Sequence, residues 1–311
     1  MKDVNMIRDI ANSLPTSGMD IIPDLHADPQ RLKRSLGATT PGAGIGFLGD
    51  FIDAGKVTPN PDDPTVLSEV RKLIVSGRAI AVMGNHELNA ILFHRTNSAG
   101  APLRSHSAKN LKQHMSFIDA FGIRTNEALA WTDWFLTLPL WLDLGDLRLV
   151  HACWDKDAIE TISNRRPDGR LQRGDLEEVA AKKTDFAKSV DRLLTGPEIA
   201  LPGGYTVHDT VGHERDHVRL AWWRPWARTW ADATLSVPDP TQLPDQALVG
   251  AADALLYPQD APPVFVGHYK MNGVPQVEAN SAICLDYPSR PCLYQWRGET
   301  GLKAQNLIEI P

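Results

Sequence analysis

Residues 79–87 read AIAVMGNHE, an apolar run that stops abruptly in Gly84, Asn85, His86 and Glu87. Four to six apolar residues closed by turn formers mark a strand buried on both faces. The pattern recurs on either side. Ile21-Ile22 leads into Asp24-Leu25-His26, and residues 45–48 lead into Gly49-Asp50-Phe51-Ile52-Asp53. Residues 147–150 lead into His151, and 264–266 into Gly267-His268. Helical patterns lie between them. Residues 29–36 start on Pro29 and place Leu32 and Leu36 four apart, and 64–76 and 107–120 read the same way. Strands alternating with helices predict an α/β sandwich. In such sheets the polar residues just past the carboxyl ends of the strands form the ligand site. Five separated segments are therefore expected to converge on one place.

Composition narrows what that place does. The 311 residues are 42% hydrophobic and 23% charged, and the net charge is −6. A nonspecific nucleic-acid coat is disfavoured, because it rests on a basic surface. No apolar run approaches the ~18 residues of a membrane span. The first residues lack a signal-peptide pattern, and Cys153, Cys284 and Cys292 show no CxxC spacing. A cytoplasmic protein without disulfides is expected. Residues 155–260 differ in texture: a charged helical stretch, then Trp222, Trp223, Trp226 and Trp230, then a Pro-rich segment. They are read as an insert or cap within a single domain spanning 1–311. Residues 281–287 and 292–298 read as two closing strands.

The polar clusters contain Asp24, His26, Asp50, Asp53, Asn85, His86, His151 and His268. Carboxylates, imidazoles and an amide carbonyl suit Mn, Fe, Zn or Co better than Ca or Mg alone. Asp24 and His26, two apart on an extended end, point the same way. Asp50 has two oxygens and is able to bridge two ions ~3.5–4 Å apart. Two cations serve phosphoester hydrolysis: one lowers the pKa of a bound water from 15.7 to about 7, and the other clamps phosphate oxygens. A His held by a carboxylate protonates the leaving oxygen, and His86 with Asp53 would be that pair.

In this order, DLH, GDFID, GNHE, LVHA and GH resemble the calcineurin-like metallophosphoesterases, in particular the phosphoprotein-phosphatase branch and its bacterial relatives. The resemblance covers residues 19–152 and 263–300. It implies a four-layer α/β/β/α sandwich, with a helical insert, that hydrolyses phosphoesters by direct attack of hydroxide from a dinuclear metal centre. Asp24 and His26 would hold one metal, Asp50 would bridge, and Asn85, His151 and His268 would complete the other. His86 would be the general acid, oriented by Asp53. Bacterial relatives carry a WxR segment, to which Trp222-Trp223-Arg224 is similar, so Arg224 would clamp phosphate, with Asn85 also facing substrate. The sequence departs from the family at Pro23 and Ala27, where Gly is usual, which predicts an altered backbone. It departs at Ala54, in place of a phosphate-binding Arg that Lys56 or Arg224 would replace, and at Cys153. Tyr269-Lys270 after Gly267-His268 lacks the second His of the nuclease-like branch.

A phosphorylated protein is the first expected substrate, and a dinucleoside polyphosphate or other nucleotide ester the second. A metal-loaded regulatory protein without turnover is a reading of another class, and the Asp53–His86 pair argues against it. Other patterns are expected to be inert. His213-Glu214-Arg215-Asp216-His217 fits HExxH, but Pro225 shortens any helix there. Residues 44–49 fit GxGxxG without a following helix. Arg165, Arg166, Arg170 and Arg173 read as a solvated loop. The tryptophans read equally as cap core or as a nucleobase platform. Cys153 reads as a buried apolar residue, and His94, His106, His114 and His208, outside every motif, as structural histidines.

Overall fold

The computed structural model describes residues 18–55, 57–208, 212–248 and 256–311; Lys56 lies outside them. The strands are β1 (Met19–Ile22), β2 (Gly44–Phe47), β3 (Ala79–Ala81), β4 (Trp141–Asp143), β5 (Arg148–Val150), β6 (Glu198–Ala200), β7 (Val207–His208), β8 (Glu214–Arg215), β9 (His217–Leu220), β10 (Thr234–Leu235), β11 (Val264–Val266), β12 (Ala282–Cys284), β13 (Cys292–Trp296) and β14 (Leu307–Glu309). They make two principal sheets. The first runs β14-β13-β1-β2-β3, with β1, β2 and β3 parallel and β13 antiparallel to β1. The second runs β12-β11-β5-β4, with β5, β11 and β12 parallel and β4 antiparallel. The two closing strands thus enter different sheets, β12 the second and β13 the first.

The two sheets pack on each other. Phe265 of β11 meets Tyr294 of β13 with ring centroids 5.1 Å apart, and one core cluster joins both sheets to the flanking helices. β1, β2, β3 and β11 are buried along their whole length, which explains their apolar composition; the one exception is Asp20 in β1, whose buried carboxylate pairs with Arg297 at 2.6 Å. Helices start where the sequence supplies caps. The Asp28 carboxylate accepts the N–H of Gln30 (2.9 Å) and Arg31 (2.8 Å) at the head of Pro29–Gly37. Asp62 does the same for Asp63–Val75 through Thr65 N–H at 2.9 Å. The segment expected as one helix over 107–120 is two, Ala108–Gln113 and Met115–Phe121, broken at His114.

The fold is α/β, as expected, and the 155–260 stretch has two parts. Helices Lys156–Ser163, Leu176–Ala181 and Asp185–Thr195 pack into the main core through Ile162, Val179, Val190 and Leu193. Beyond them the chain is mainly β, with one short α-helix at Trp230–Ala233: an antiparallel β10-β9-β6 sheet and a β7-β8 ribbon, with a small core of Leu201, Val207, Val218, Trp230 and Leu243. Among the described residues no helix is long and apolar enough to cross a membrane.

Candidate functional site

Six parallel strands end on one rim. β1 delivers Asp24 and His26, β2 delivers Asp50 and Asp53, and β3 runs into the helix Asn85–His94 that opens on Asn85 and His86. From the second sheet, β5 delivers His151, β11 His268 and β12 Asp286. The rims are tied across the sheets. His151 Nδ1–H donates to the Leu48 carbonyl at 2.7 Å, and the His268 N–H meets both Asp24 oxygens at 3.1 Å. Two motif glycines permit the approach. A Cβ on Gly84 would strike Asp50, and one on Gly267 would strike the Asp24 carboxylate. His26, Ala27, Asp50, Asp53 and His268 all hold positive φ (47°, 56°, 52°, 65° and 73°). Such strain costs on the order of 1–3 kcal/mol per residue and gathers at functional sites. Ala27, expected to alter the backbone, takes the left-handed conformation natural to Gly.

Donor atoms gather in two groups that share Asp50: His26, Asp50 and His86, and Asp50, His151 and His268. Asn85 belongs with the second. Its Oδ1 lies 2.9 Å from His151 Nε2 and 2.7 Å from His268 Nδ1, and Asp50 Oδ2 lies 3.4 Å from His151 Nε2. With its Nδ1–H given to Leu48, a neutral His151 presents a lone pair at Nε2. Lone pairs of imidazole, amide and carboxylate therefore face one another, an arrangement that a cation satisfies. His26 is built the same way: its Nδ1 sits 3.1 Å from the Asp53 carbonyl, and its buried Nε2 has no partner among the described residues. A ring nitrogen committed to a carbonyl, with the other left bare, is how ligating imidazoles are held. Asp24 Oδ2 lies 3.9 Å from that Nε2.

The electrostatics agree. Burial, then the neighbouring His86, holds His26 down to about 3, so it is neutral at pH 7. Burial, then His151, depresses His268 well below the usual range. Burial opposes charge on His151, yet Asp50 and Asp24 outweigh it and raise it to about 10. Burial pushes Asp50 up, but His151 and His86 win and hold it well below the carboxylate range. Burial, then Asp286, pushes Asp24 well above the carboxylate range, so in the metal-free fold protons on Asp24 and His151 stand where a cation would.

His86 stands beside this cluster. Its Nδ1 lies 2.7 Å from Asp53 Oδ2, and its Nε2 is 3.9 Å from Asp50 Oδ2. Burial opposes its charge, but Asp50 and then Asp53 raise it to about 9. The geometry also recruits residues the sequence left aside. His114 Nδ1 reaches the other Asp53 oxygen at 2.6 Å, and His114 Nε2 meets His94 Nε2 at 3.0 Å. Buried Glu87 accepts the N–H groups of Gly84, Asp50 and Phe51 at 2.8–2.9 Å. Gln113 Nε2 lies 3.4 Å from His86 Nε2 and its Oε1 accepts from Arg104 at 2.9 Å. The signal was present for Glu87, which sits inside GNHE. It was absent for His94, Arg104, Gln113 and His114, whose neighbours in sequence carry no motif.

Arg224 does not offer a free guanidinium. Nε and Nη2 close on Glu278 at 3.1 and 2.8 Å, and Nη1 donates to the Asp232 carbonyl at 2.7 Å. Both side chains of the pair are largely buried, so Arg224 neutralises Glu278. Trp222 and Trp223 are fully buried core, and Trp230 is nearly so. The arginine cluster is paired within the chain: Arg165 with Glu178, Arg166 with Asp175, Arg170 with Asp168 and Arg173 with Asp133. The HExxH segment is β8 and β9, not a helix, and GxGxxG lies on and just after β2. Cys153 is buried, and burial pushes its thiol up. His106 stacks on Phe93 and bonds its carbonyl, and His208 bonds Gln242, both structural.

The calcineurin-like phosphoesterase family matches residues 20–268. Solved structures similar to the chain include three phosphatases. One, provisionally named a diadenosine tetraphosphatase, is 15% identical, with TM-score 0.44, over 95% of this chain and 94% of that one. A serine/threonine phosphatase from Saccharomyces cerevisiae, with similarity to human phosphatase PP5, is 15% identical, with TM-score 0.45, over 99% and 87%. A cold-active protein-tyrosine phosphatase of a Shewanella species is 12% identical, with TM-score 0.45, over 97% and 84%. No curated protein matches the chain. The family match runs from β1 to His268 and so takes in both rims of the site; this chain belongs to the calcineurin-like phosphoesterase family, and is a metal-dependent phosphoester hydrolase.

Proposed function

We propose that the chain is a phosphomonoesterase of the protein serine/threonine phosphatase type, built around two metal ions. Asp24, His26 and Asp50 would hold one ion, and Asp50, Asn85, His151 and His268 the other. The observation that carries the reading is the sharing of Asp50 by two donor groups, one with His26 and His86 and the other with His151 and His268; Asp24 stands beside the first, 3.9 Å from His26 Nε2. When bound, the ion pair clamps phosphoryl oxygens and activates water. The chain's own residues handle the leaving group. His86 Nε2 gives its proton to the departing oxygen, while Asp53 holds Nδ1–H at 2.7 Å, aims the ring and stabilises the imidazolium. Asp53 keeps its charge throughout.

Arg224 is spent on Glu278, and the methyl side chain of Ala54 has no donor to offer, so phosphate binding is assigned to Arg104. Arg104 Nη1 is buried without a partner among the described residues, and Nη2 donates to Oε1 of Gln113, a side chain 3.4 Å from His86 Nε2, which places the guanidinium near the acid. Arg104→Ala is expected to raise KM at least ~10-fold, the scale of one lost charged hydrogen bond. The nucleotide reading draws on a tryptophan platform; Trp222, Trp223 and Trp230 are buried, which leaves Trp226 alone exposed among the four and weakens that reading.

The test is direct. Protein stripped of metal and reloaded with Mn is offered p-nitrophenyl phosphate, a phosphoserine peptide and diadenosine tetraphosphate. Turnover of the first two supports the proposal. Preference for the dinucleotide replaces it with the nucleotide reading, and no turnover with Mn, Fe or Zn leaves the regulatory one.

A further inference from the structure

We infer that His114 and His94 form a relay of fixed polarity behind the Asp53–His86 pair, in which His114 is a positioning residue for proton delivery to the leaving group. The inference rests on the phosphoester-hydrolase reading of the site. It begins at a backbone amide. The N–H of Arg124 donates to His94 Nδ1 at 3.0 Å. An amide nitrogen has only a proton to give, so His94 Nδ1 carries the lone pair and its proton sits on Nε2. That proton points at His114 Nε2, 3.0 Å away, which must be the acceptor. The His114 proton then lies on Nδ1 and points at Asp53 Oδ1, 2.6 Å away. One peptide group orders every bond up to the carboxylate.

The surroundings preserve that order. His94 and His114 are each 1% exposed, so solvent has no path to exchange the tautomers. The His114 ring lies stacked on Phe117, 4.7 Å away at 15°, and edge-on to Phe93 at 5.1 Å. The ring lies buried at the break between the helices Ala108–Gln113 and Met115–Phe121. The two oxygens of Asp53 are thus held by two imidazoles, Oδ1 by His114 and Oδ2 by His86. The carboxylate cannot rotate away from His86 without breaking the bond to His114. Without His114, Oδ1 is a buried anionic oxygen with no donor, and Asp53 is free to turn. His86 then loses its aim, and the loss is felt where the leaving oxygen needs a proton.

The experiment compares Mn-loaded wild type, His114→Leu and His114→Asn on p-nitrophenyl phosphate and phenyl phosphate. The Asn side-chain amide places an N–H donor where Nδ1–H was. His114→Leu is expected to lose ~10-fold or more in kcat on phenyl phosphate and less than ~3-fold on p-nitrophenyl phosphate, part of the ~100-fold or more that a positioned acid supplies. His114→Asn restores most of it. Equal losses on both substrates, or none, overturn the inference. Independently of activity, long-range ¹H–¹⁵N spectra of the metal-free wild type should show His114 protonated on Nδ1 alone and His94 on Nε2 alone. An Nε2-protonated or doubly protonated His114 overturns the relay. Should His114→Leu not fold, His114→Asn and the spectra decide; wild type that turns over neither ester sinks the proposed function and with it the role of His114 in proton delivery, while the spectra still test the tautomer order on its own.

Discussion

Asp50 uses its two oxygens differently. Oδ1 accepts the His86 N–H at 2.9 Å, and Oδ2 faces His151 Nε2 at 3.4 Å. Asp50→Asn removes the whole negative charge and one of the two oxygen donors at the shared point, so both ions are expected to leave; metal content after dialysis checks it, and retention of two ions refutes the bridge. His86→Asn spares every proposed ligand. It should keep its metal and lose ~100-fold or more with poor leaving groups but much less with p-nitrophenyl phosphate. Arg224 lends itself to a different measurement. Removing it strands the Glu278 carboxylate, 6% exposed, so Arg224→Ala is expected to cost about 3–5 kcal/mol in denaturant unfolding. An unchanged stability with a raised KM would restore Arg224 as the phosphate clamp.

The helix Asn85–His94 carries the site at the scale of an element. Gly84 caps it, and Glu87 in its first turn reaches back to the Gly84 N–H at 2.9 Å. Glu87 also takes the N–H groups of Asp50 and Phe51 at 2.8 Å, so one carboxylate fixes the helix head to the β2 loop. Burial, then Asp50, raises Glu87 to about 7, which records how costly that placement is. Glu87→Ala leaves three buried donors unpaired and is expected to cost at least about 3 kcal/mol, read from the denaturation midpoint. It should also weaken metal binding, because Asp50 is no longer pinned. The GNHE run announced this helix head. The break at His114 was not announced, because the periodicity of residues 107–120 is continuous.

For the whole molecule, pH is the lever. Histidines titrate near 6.5 in the unfolded chain, whereas in the metal-free fold His86 keeps its proton to about 9 and His151 to about 10. A raised folded pKa contributes stability that is complete below 6.5 and lost as pH climbs through the folded value. Glu87, raised to about 7, completes its change at the foot of that range and acts in the same direction. Metal-free protein should therefore lose Tm steadily from about pH 7.5 to 10. Metal takes the place of the His151 proton, so the loaded protein should hold its Tm over the lower part of that window and bind metal more tightly as pH rises. Thermal melts of both forms at matched pH check the sign. A metal-free Tm that rises over the window would contradict the electrostatics of the pocket.

The residues determined the strand ends and the donor types. Apolar runs buried on both faces leave no ambiguity about where a strand stops, and Asp24, His26, Asp50, Asp53, Asn85, His86, His151 and His268 all sit just past such stops. Only the tertiary structure decided what else stands around them. His114 and Arg104 approach His86 through a loop and a broken helix, and Arg224 meets Glu278 across 54 residues of sequence. Periodicity reports which face of an element is buried, and it is silent on which distant side chain waits there. Pairings of that kind depend on the packing of two sheets, and no local pattern encodes them.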